Sequence, residues 1–139
     1  MKYFTASILL SAVLMGGCSS VSYSVKDGLP KCDSRPLCVS SADERDKFYV
    51  EPLPVKESVE SSLKELAGII DALPRTEVTK LTENELRALA KSRFFKYKDD
   101  IIIIPMNGAL GYFSKARIGY YDFGVNRKRY EEIRRLYLD

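Results

Sequence analysis

The stretch from Asp99 to Ile118 constrains the fold most, because it reads as a single β-hairpin with a fixed register. Asp99-Asp100-Ile101-Ile102-Ile103-Ile104 and Ala109-Leu110-Gly111-Tyr112-Phe113-Ser114-Lys115-Ala116-Arg117-Ile118 flank the dipeptide Asn107-Gly108. Asn-Gly tolerates the positive φ angles that a type I′ turn demands at both central positions. A two-residue loop then sets Met106 opposite Ala109, Ile103 opposite Tyr112, Ile102 opposite Phe113 and Asp100 opposite Lys115. Arg117 falls one diagonal step from Asp100 on the same face, within reach of a long side chain. Ile101, Ile103, Leu110, Tyr112, Ala116 and Ile118 share the other face and are assigned to the core. Four consecutive isoleucines would invite aggregation on a sheet edge, and Asp99, Asp100 and Pro105 read as gatekeepers.

Helical spacing brackets this hairpin. Between Glu57 and Leu73, Val59, Leu63, Leu66, Ile70 and Leu73 recur every three or four residues, which predicts a helix that Pro74 ends. A second helix is expected from Asn126, read as its N-cap, to Leu138, burying Tyr130, Ile133, Leu136 and Tyr137. On its outer side Arg127–Glu131, Lys128–Glu132 and Glu131–Arg135 are spaced to pair. Thr76 to Leu81 reads as a strand. The segment Thr82 to Lys91 is ambiguous: Thr82 and Glu85 look like a capping box, whereas Leu86, Ala88 and Ala90 alternate as in a strand. Gly119 to Gly124 supplies a glycine-punctuated turn before the last helix.

Composition narrows the chemistry. A chain of 139 residues, 45% hydrophobic and 29% charged, suits one globular domain. The net charge of +3 is too small to suggest a nucleic-acid binder. There is no histidine, which removes Ser-His-Asp and Cys-His nucleophiles and imidazole metal ligands. No Gly-rich phosphate loop is present either. No metal or other cofactor is expected, and an enzyme would depend on carboxylates, Lys, Tyr or Arg.

The start of the chain has the form of an export signal. Met1-Lys2 is basic, Tyr3 to Met15 carries no charge, and Gly16-Gly17 precede Cys18. Thirteen uncharged residues are too few for a stable membrane span. Leu14-Met15-Gly16-Gly17-Cys18 resembles the lipobox of bacterial lipoproteins, apart from Met15 where leucine is usual. That resemblance implies cleavage after residue 17 and acylation of Cys18. Residues 18–30, beginning Cys-Ser-Ser-Val-Ser-Tyr-Ser, would form a polar tether ahead of one domain at 31–139. Ser19 after the cysteine favours, by the same resemblance, an outer membrane with the domain facing the periplasm. With Cys18 lipidated, Cys32 and Cys38 are left as a pair in a compartment where disulfides persist. A metal site there would lack the usual further zinc ligands, and the spacing is not that of a Cys-x-x-Cys redox motif.

Three stretches together resemble the domain of unknown function 1499 family of small bacterial proteins, many of them lipoproteins. Cys32-x-x-x-Pro36-x-Cys38-Val39-Ser40-Ser41 is similar to its opening Cys-x-x-x-Pro-Asn-Cys-Val-Ser-Ser. Tyr97-Lys98-Asp99-Asp100 is similar to its Phe-x-Asp-Asp. Arg117-Ile118-Gly119-x-x-Asp122-x-Gly124-x-Asn126-Arg127-x-Arg129 is similar to its closing signature. The chain departs at Leu37 and Tyr97, and at Phe113 and Ala116, where the family tends to have arginine and serine. The resemblance implies a helix, several strands and a final helix, which favours the strand reading of residues 85–93 over local propensity. It implies no activity.

The fold expected is α+β, an antiparallel sheet of about four strands packed by two helices. Asp99, Asp100, Arg117, Asp122, Asn126, Arg127 and Arg129 form a polar cluster with three readings. They are a structural network of a buried Arg–Asp pair, an Asp-stabilised turn and an Asn cap; or an anion or lipid-headgroup site using Arg117, Arg127 and Arg129; or, third, a carboxylate enzyme. Adjacent carboxylates on a strand point to opposite faces, which argues against Asp99 and Asp100 sharing a proton. Arg127 and Arg129 are expected on a solvated helix face. The membrane is the expected partner, and any further protein or ligand stays open.

Overall fold

The computed structural model describes residues 28–94 and 97–139. The expected export signal, the expected acylation site Cys18 and most of the expected tether lie outside the described residues. Five strands and two helices follow in the order β1 (Cys38–Ser40), α1 (Val59–Ala72), β2 (Thr76–Leu81), β3 (Leu86–Lys91), β4 (Lys98–Met106), β5 (Ala109–Ala116) and α2 (Val125–Leu138). The strands form one antiparallel sheet in the order β1-β5-β4-β3-β2. The α+β class holds, with five strands rather than about four. The extra strand is the three-residue β1, which pairs with β5 at Cys38–Lys115 and Ser40–Phe113.

The β4–β5 hairpin has the register set by its loop. Met106 faces Ala109, Ile103 faces Tyr112, Ile102 faces Phe113 and Asp100 faces Lys115. Asn107 and Gly108 take φ of 51° and 79°, as a type I′ turn requires. β4 lies at the centre of the sheet, so its isoleucines are protected by neighbours on both sides rather than by gatekeepers alone. The exposed edges are blunted differently: β1 is very short, and β2 carries an irregularity between Val78 and Lys80.

The sheet is buried on both faces, which explains why β4 reads as an unbroken apolar run. On one face Ile101, Ile103, Leu110 and Tyr112 pack with Leu63, Leu66 and Ile70 of α1 and Tyr130, Ile133 and Tyr137 of α2. On the other, Ile102, Ile104 and Phe113 are covered by Leu29, Cys32, Leu37, Cys38 and Phe48. Ala116 belongs to this second cluster, and Ile118, expected in the core, is 56% exposed because β5 ends two residues before it. Leu29 and Pro30, read from the sequence as the end of the tether, are already part of the packed structure: Leu29 joins the second core and the Pro30 carbonyl accepts from the Ser40 hydroxyl. A disulfide joins Cys32 to Cys38 with an S–S distance of 1.99 Å.

Local chemistry sets the remaining boundaries. Ser58 and Ser61 form a reciprocal capping box at the start of α1, and Leu73 closes it just before Pro74. Thr82 does not cap a helix. Its backbone N–H donates to Glu85 O at 2.9 Å, closing the β2–β3 hairpin, and its hydroxyl accepts from Asn84 N. On α2, Arg135 pairs with Glu132 and Asp139 at 2.8 and 3.3 Å, in place of the three pairs that spacing suggests.

Candidate functional site

The polar cluster assembles where the Lys98 end of β4, the end of β5 and the start of α2 meet. Successive strand residues point to opposite faces, and this separates the two neighbouring carboxylates. Asp100 faces the side of the second core and receives both the Nε and Nη2 of Arg117, at 2.9 and 2.8 Å. That bidentate fork is the strong form of an Arg–carboxylate contact. Asp99 faces α2 and receives Arg129 Nη2 at 2.9 Å. Burial pushes the Asp99 carboxyl above its usual range, although the Arg129 charge opposes the shift.

Asn126 sits at the centre of the cluster and is fully buried. Its Nδ2 donates to Leu37 O at 3.2 Å and to Asp122 Oδ2 at 2.9 Å. Its Oδ1 accepts from the Ser114 hydroxyl and from Arg129 Nη1. Two donors and two acceptor sites are thereby matched, which is the full capacity of an amide side chain. Asn126 is not the N-cap of α2. Gly124 occupies that position at φ 75°, and Asp122 supplies the capping oxygens, accepting from Gly124 N at 2.9 Å and Asn126 N at 3.1 Å. Arg129 is not on a solvated face either, since its side chain is only 14% exposed.

The three arginines do not converge on a ligand. Arg117 and Arg129 lie on opposite faces of the sheet, each against a carboxylate. Arg127 donates to the carbonyls of Lys47 and Tyr49 at 3.1 Å each, tying α2 to the outer segment. It lines a cleft of about 150 Å³ with Pro36, Lys47, Tyr121 and Asp122. Among the described residues no group of three or more acidic or cysteine side chains is placed to hold a metal ion. Beneath α2 the Tyr112 hydroxyl is buried without a partner of hydrogen-bonding geometry, and burial pushes its pKa up to about 12.

Residues 28–136 match the family described as protein of unknown function (DUF1499). The chain belongs to this family. No curated protein matches the sequence. The opening, central and closing motifs of the DUF1499 domain are distant in the chain and touch in the fold: Leu37 and Pro36 carbonyls accept from Asn126 and from Asp122 N.

Sequence reasoning missed one part of this DUF1499 domain. Asp43 is buried beside the disulfide and accepts from Cys32 N at 3.1 Å, from Arg45 N at 3.0 Å, and from Arg45 Nε and Nη2 at 2.9 and 2.7 Å. Arg45 in turn donates to Cys32 O at 2.7 Å. The Arg45 hydrogen bonds hold the Asp43 carboxyl well below the usual carboxylate range. An Asp two residues before an Arg is too common a pattern to mark such a clasp; only the fold shows that both wrap one backbone unit of the disulfide loop.

Proposed function

We propose that this DUF1499 protein is a lipid-anchored component of the bacterial envelope, exported by residues 1–17 and acylated at Cys18. Its domain serves as a structural or partner-binding module rather than as a catalyst, on an outer membrane and facing the periplasm. One observation carries the non-catalytic part: the ionic and amide groups of the motifs are matched to one another inside the domain. Asp100 meets Arg117, Asp99 meets Arg129, and Asn126 is saturated. Such a network fixes a corner and leaves little capacity for an incoming substrate. The Cys32–Cys38 bridge fits an oxidising compartment.

A second reading, an anion or lipid headgroup held in the cleft, has Lys47 and Arg127 in its favour. Engagement of Arg117 and Arg129 by carboxylates weighs against it. Metabolic palmitate labelling with membrane fractionation tests the anchor. Wild type should carry label and sediment with membranes, and Cys18→Ala should take up none. Unlabelled wild type would overturn the assignment.

A further inference from the structure

We propose that the Lys98 end of the sheet docks on the interface of a membrane containing anionic phospholipid. The inference rests on the lipid-anchor reading, which places a bilayer within reach. Its basis is a group of aromatic and aliphatic side chains that the fold leaves in water. Phe94, in the β3–β4 loop, is 81% exposed; Tyr120 and Phe123, in the loop between β5 and α2, are 84% and 78% exposed. Ile118 and Tyr121 are exposed beside them. Both loops leave the same end of the sheet, because Lys91 pairs with Lys98 and Arg117 N donates to Lys98 O.

The Tyr121–Phe123 part of this group is held in place by its own backbone. Phe123 holds φ 56°, a conformation costly for a residue with a Cβ. The flanking backbone is pinned there by Asp122, which accepts from both Gly124 N and Asn126 N. The ring of Phe123 meets Tyr121 edge-on at 4.9 Å between centroids. A local strain that keeps apolar rings out of the core calls for something outside the domain to receive them.

Charge selects the occupant. Lys91, Arg93 and Lys98 stand exposed at this end, and none forms an ion pair among the described residues. Lys91 and Lys98 are directly opposite across strands, an arrangement that repels unless an anion lies between or above them. Of the acids at this end, Asp99, Asp100 and Asp122 are engaged in the contacts already described, and Asp71 and Glu77 line a cleft with Lys91 on its β2 side, which leaves Arg93 and Lys98 as the basic groups turned to the aromatic loops. At the other end of the sheet Glu44, Asp46 and Glu83 are exposed. The unpaired basic groups beside the exposed rings favour an anionic surface as what this end meets. Tyrosines with phenylalanine and isoleucine suit the headgroup level, where one end of a ring is apolar and the other wet.

The tether allows this orientation. Leu29 lies against Gly111, about 20 Å along the sheet from Arg117 at the rise of a strand. The eleven residues from Cys18 to Gly28 can span at most ~40 Å.

The chain contains no tryptophan, so Phe123→Trp gives a single fluorophore at the proposed contact. The lipidated protein carrying it is reconstituted in vesicles of phosphatidylcholine alone or with phosphatidylglycerol, each with brominated acyl chains. Docking predicts blue-shifted, quenched emission that is strongest with phosphatidylglycerol. Changing Lys91, Arg93 and Lys98 to alanine should weaken the docking equilibrium on the order of a hundredfold, from about fivefold per basic residue at an anionic surface. A protein that floats with vesicles but stays unquenched overturns docking and leaves the anchor standing. A protein that neither floats nor is quenched overturns both. Quenching that persists in the Cys18→Ala form of the same chain supports docking, since the rings then find the surface without the anchor. Cross-linking of an unquenched position 123 to a second envelope protein in cells assigns this end to a protein and overturns the membrane proposal.

Discussion

Replacing Arg129 by methionine should destabilise the domain more than replacing any other arginine of the closing signature. The Arg129 and Asp99 side chains are 14% and 12% exposed, against 30% and 15% for Arg117 and Asp100. Methionine keeps the length of the aliphatic stem but strands the Asp99 carboxylate and takes a donor from Asn126 Oδ1. Losing one partner of a buried pair costs about 3–5 kcal/mol. That is a large share of the ~5–15 kcal/mol that holds a domain together, and it corresponds to a fall in midpoint of roughly 15 °C. The penalty should depend on pH in one direction. The Asp99 pKa is already raised by burial with Arg129 present, and without Arg129 the folded state binds that proton still more tightly than the unfolded chain. Stability of the variant therefore rises as pH falls through the raised folded value, and the deficit is greatest at neutral pH and above. Asp99→Asn in the same chain should remove the pH dependence and recover much of the loss. Arg117→Ala should cost less, because water reaches that pair, and Arg127→Ala, which only breaks exposed contacts to carbonyls, about 1 kcal/mol. Thermal melts by circular dichroism at pH 5 and pH 8 measure all four. Equal midpoints for the Arg129 and Arg127 variants, or a deficit that grows as pH falls, would refute the reasoning.

The Cys32–Cys38 bridge closes a short loop, so the Cys32→Ala, Cys38→Ala chain should lose about 2 kcal/mol in the loop-entropy model, read as a lower urea midpoint without reductant. Asp33 and Asp43 are both held below the usual carboxylate range, Asp33 chiefly by Arg35 and Asp43 chiefly by Arg45. Their contribution is fully present above the unfolded value of about 4 and is lost as pH falls toward the folded values; urea midpoints from pH 6 to pH 2 should fall less steeply in Asp43→Asn than in wild type.

The hairpin and the Asp100–Arg117 pair were legible because a two-residue loop leaves one register, and register decides which side chains share a face. The second core was not. Alternation assigned Ile101 and Ile103 inward, but nothing local told that Ile102, Ile104 and Phe113 would be covered by an irregular segment sixty residues earlier. β1 carries no periodicity in three residues and exists only by pairing with β5. Thr82 and Glu85 spell a helix start, yet β3 is held by β4 and β2, and tertiary pairing overrode the local preference. In the site, the cap expected of Asn126 falls to Asp122, and Asn126 is instead the buried amide at the centre. Both are good caps, and the positive φ at Phe123 and Gly124 brings the Asp122 carboxylate over the first turn of α2. Arg129 was misplaced because helix periodicity marks an apolar stripe, and a buried arginine on its flank shows only once Asp99 is known to face it.

The irregular cover over the second core has a consequence for biogenesis. Apart from three residues in β1, the segment from Leu29 to Val50 is held by single hydrogen bonds and buried side chains rather than by a ladder, so it is a less cooperative part of the fold than the sheet beneath it. When it lifts, Ile102, Ile104 and Phe113 become a contiguous apolar strip in the middle of a sheet, the kind of surface on which chains stick to one another. The disulfide and the Asp43–Arg45 clasp both bind at Cys32, near the N-terminal side of this cover. The disulfide thereby ties the cover at the place where its opening would uncover that strip, and the reduced chain should self-associate at a lower concentration than the oxidised one.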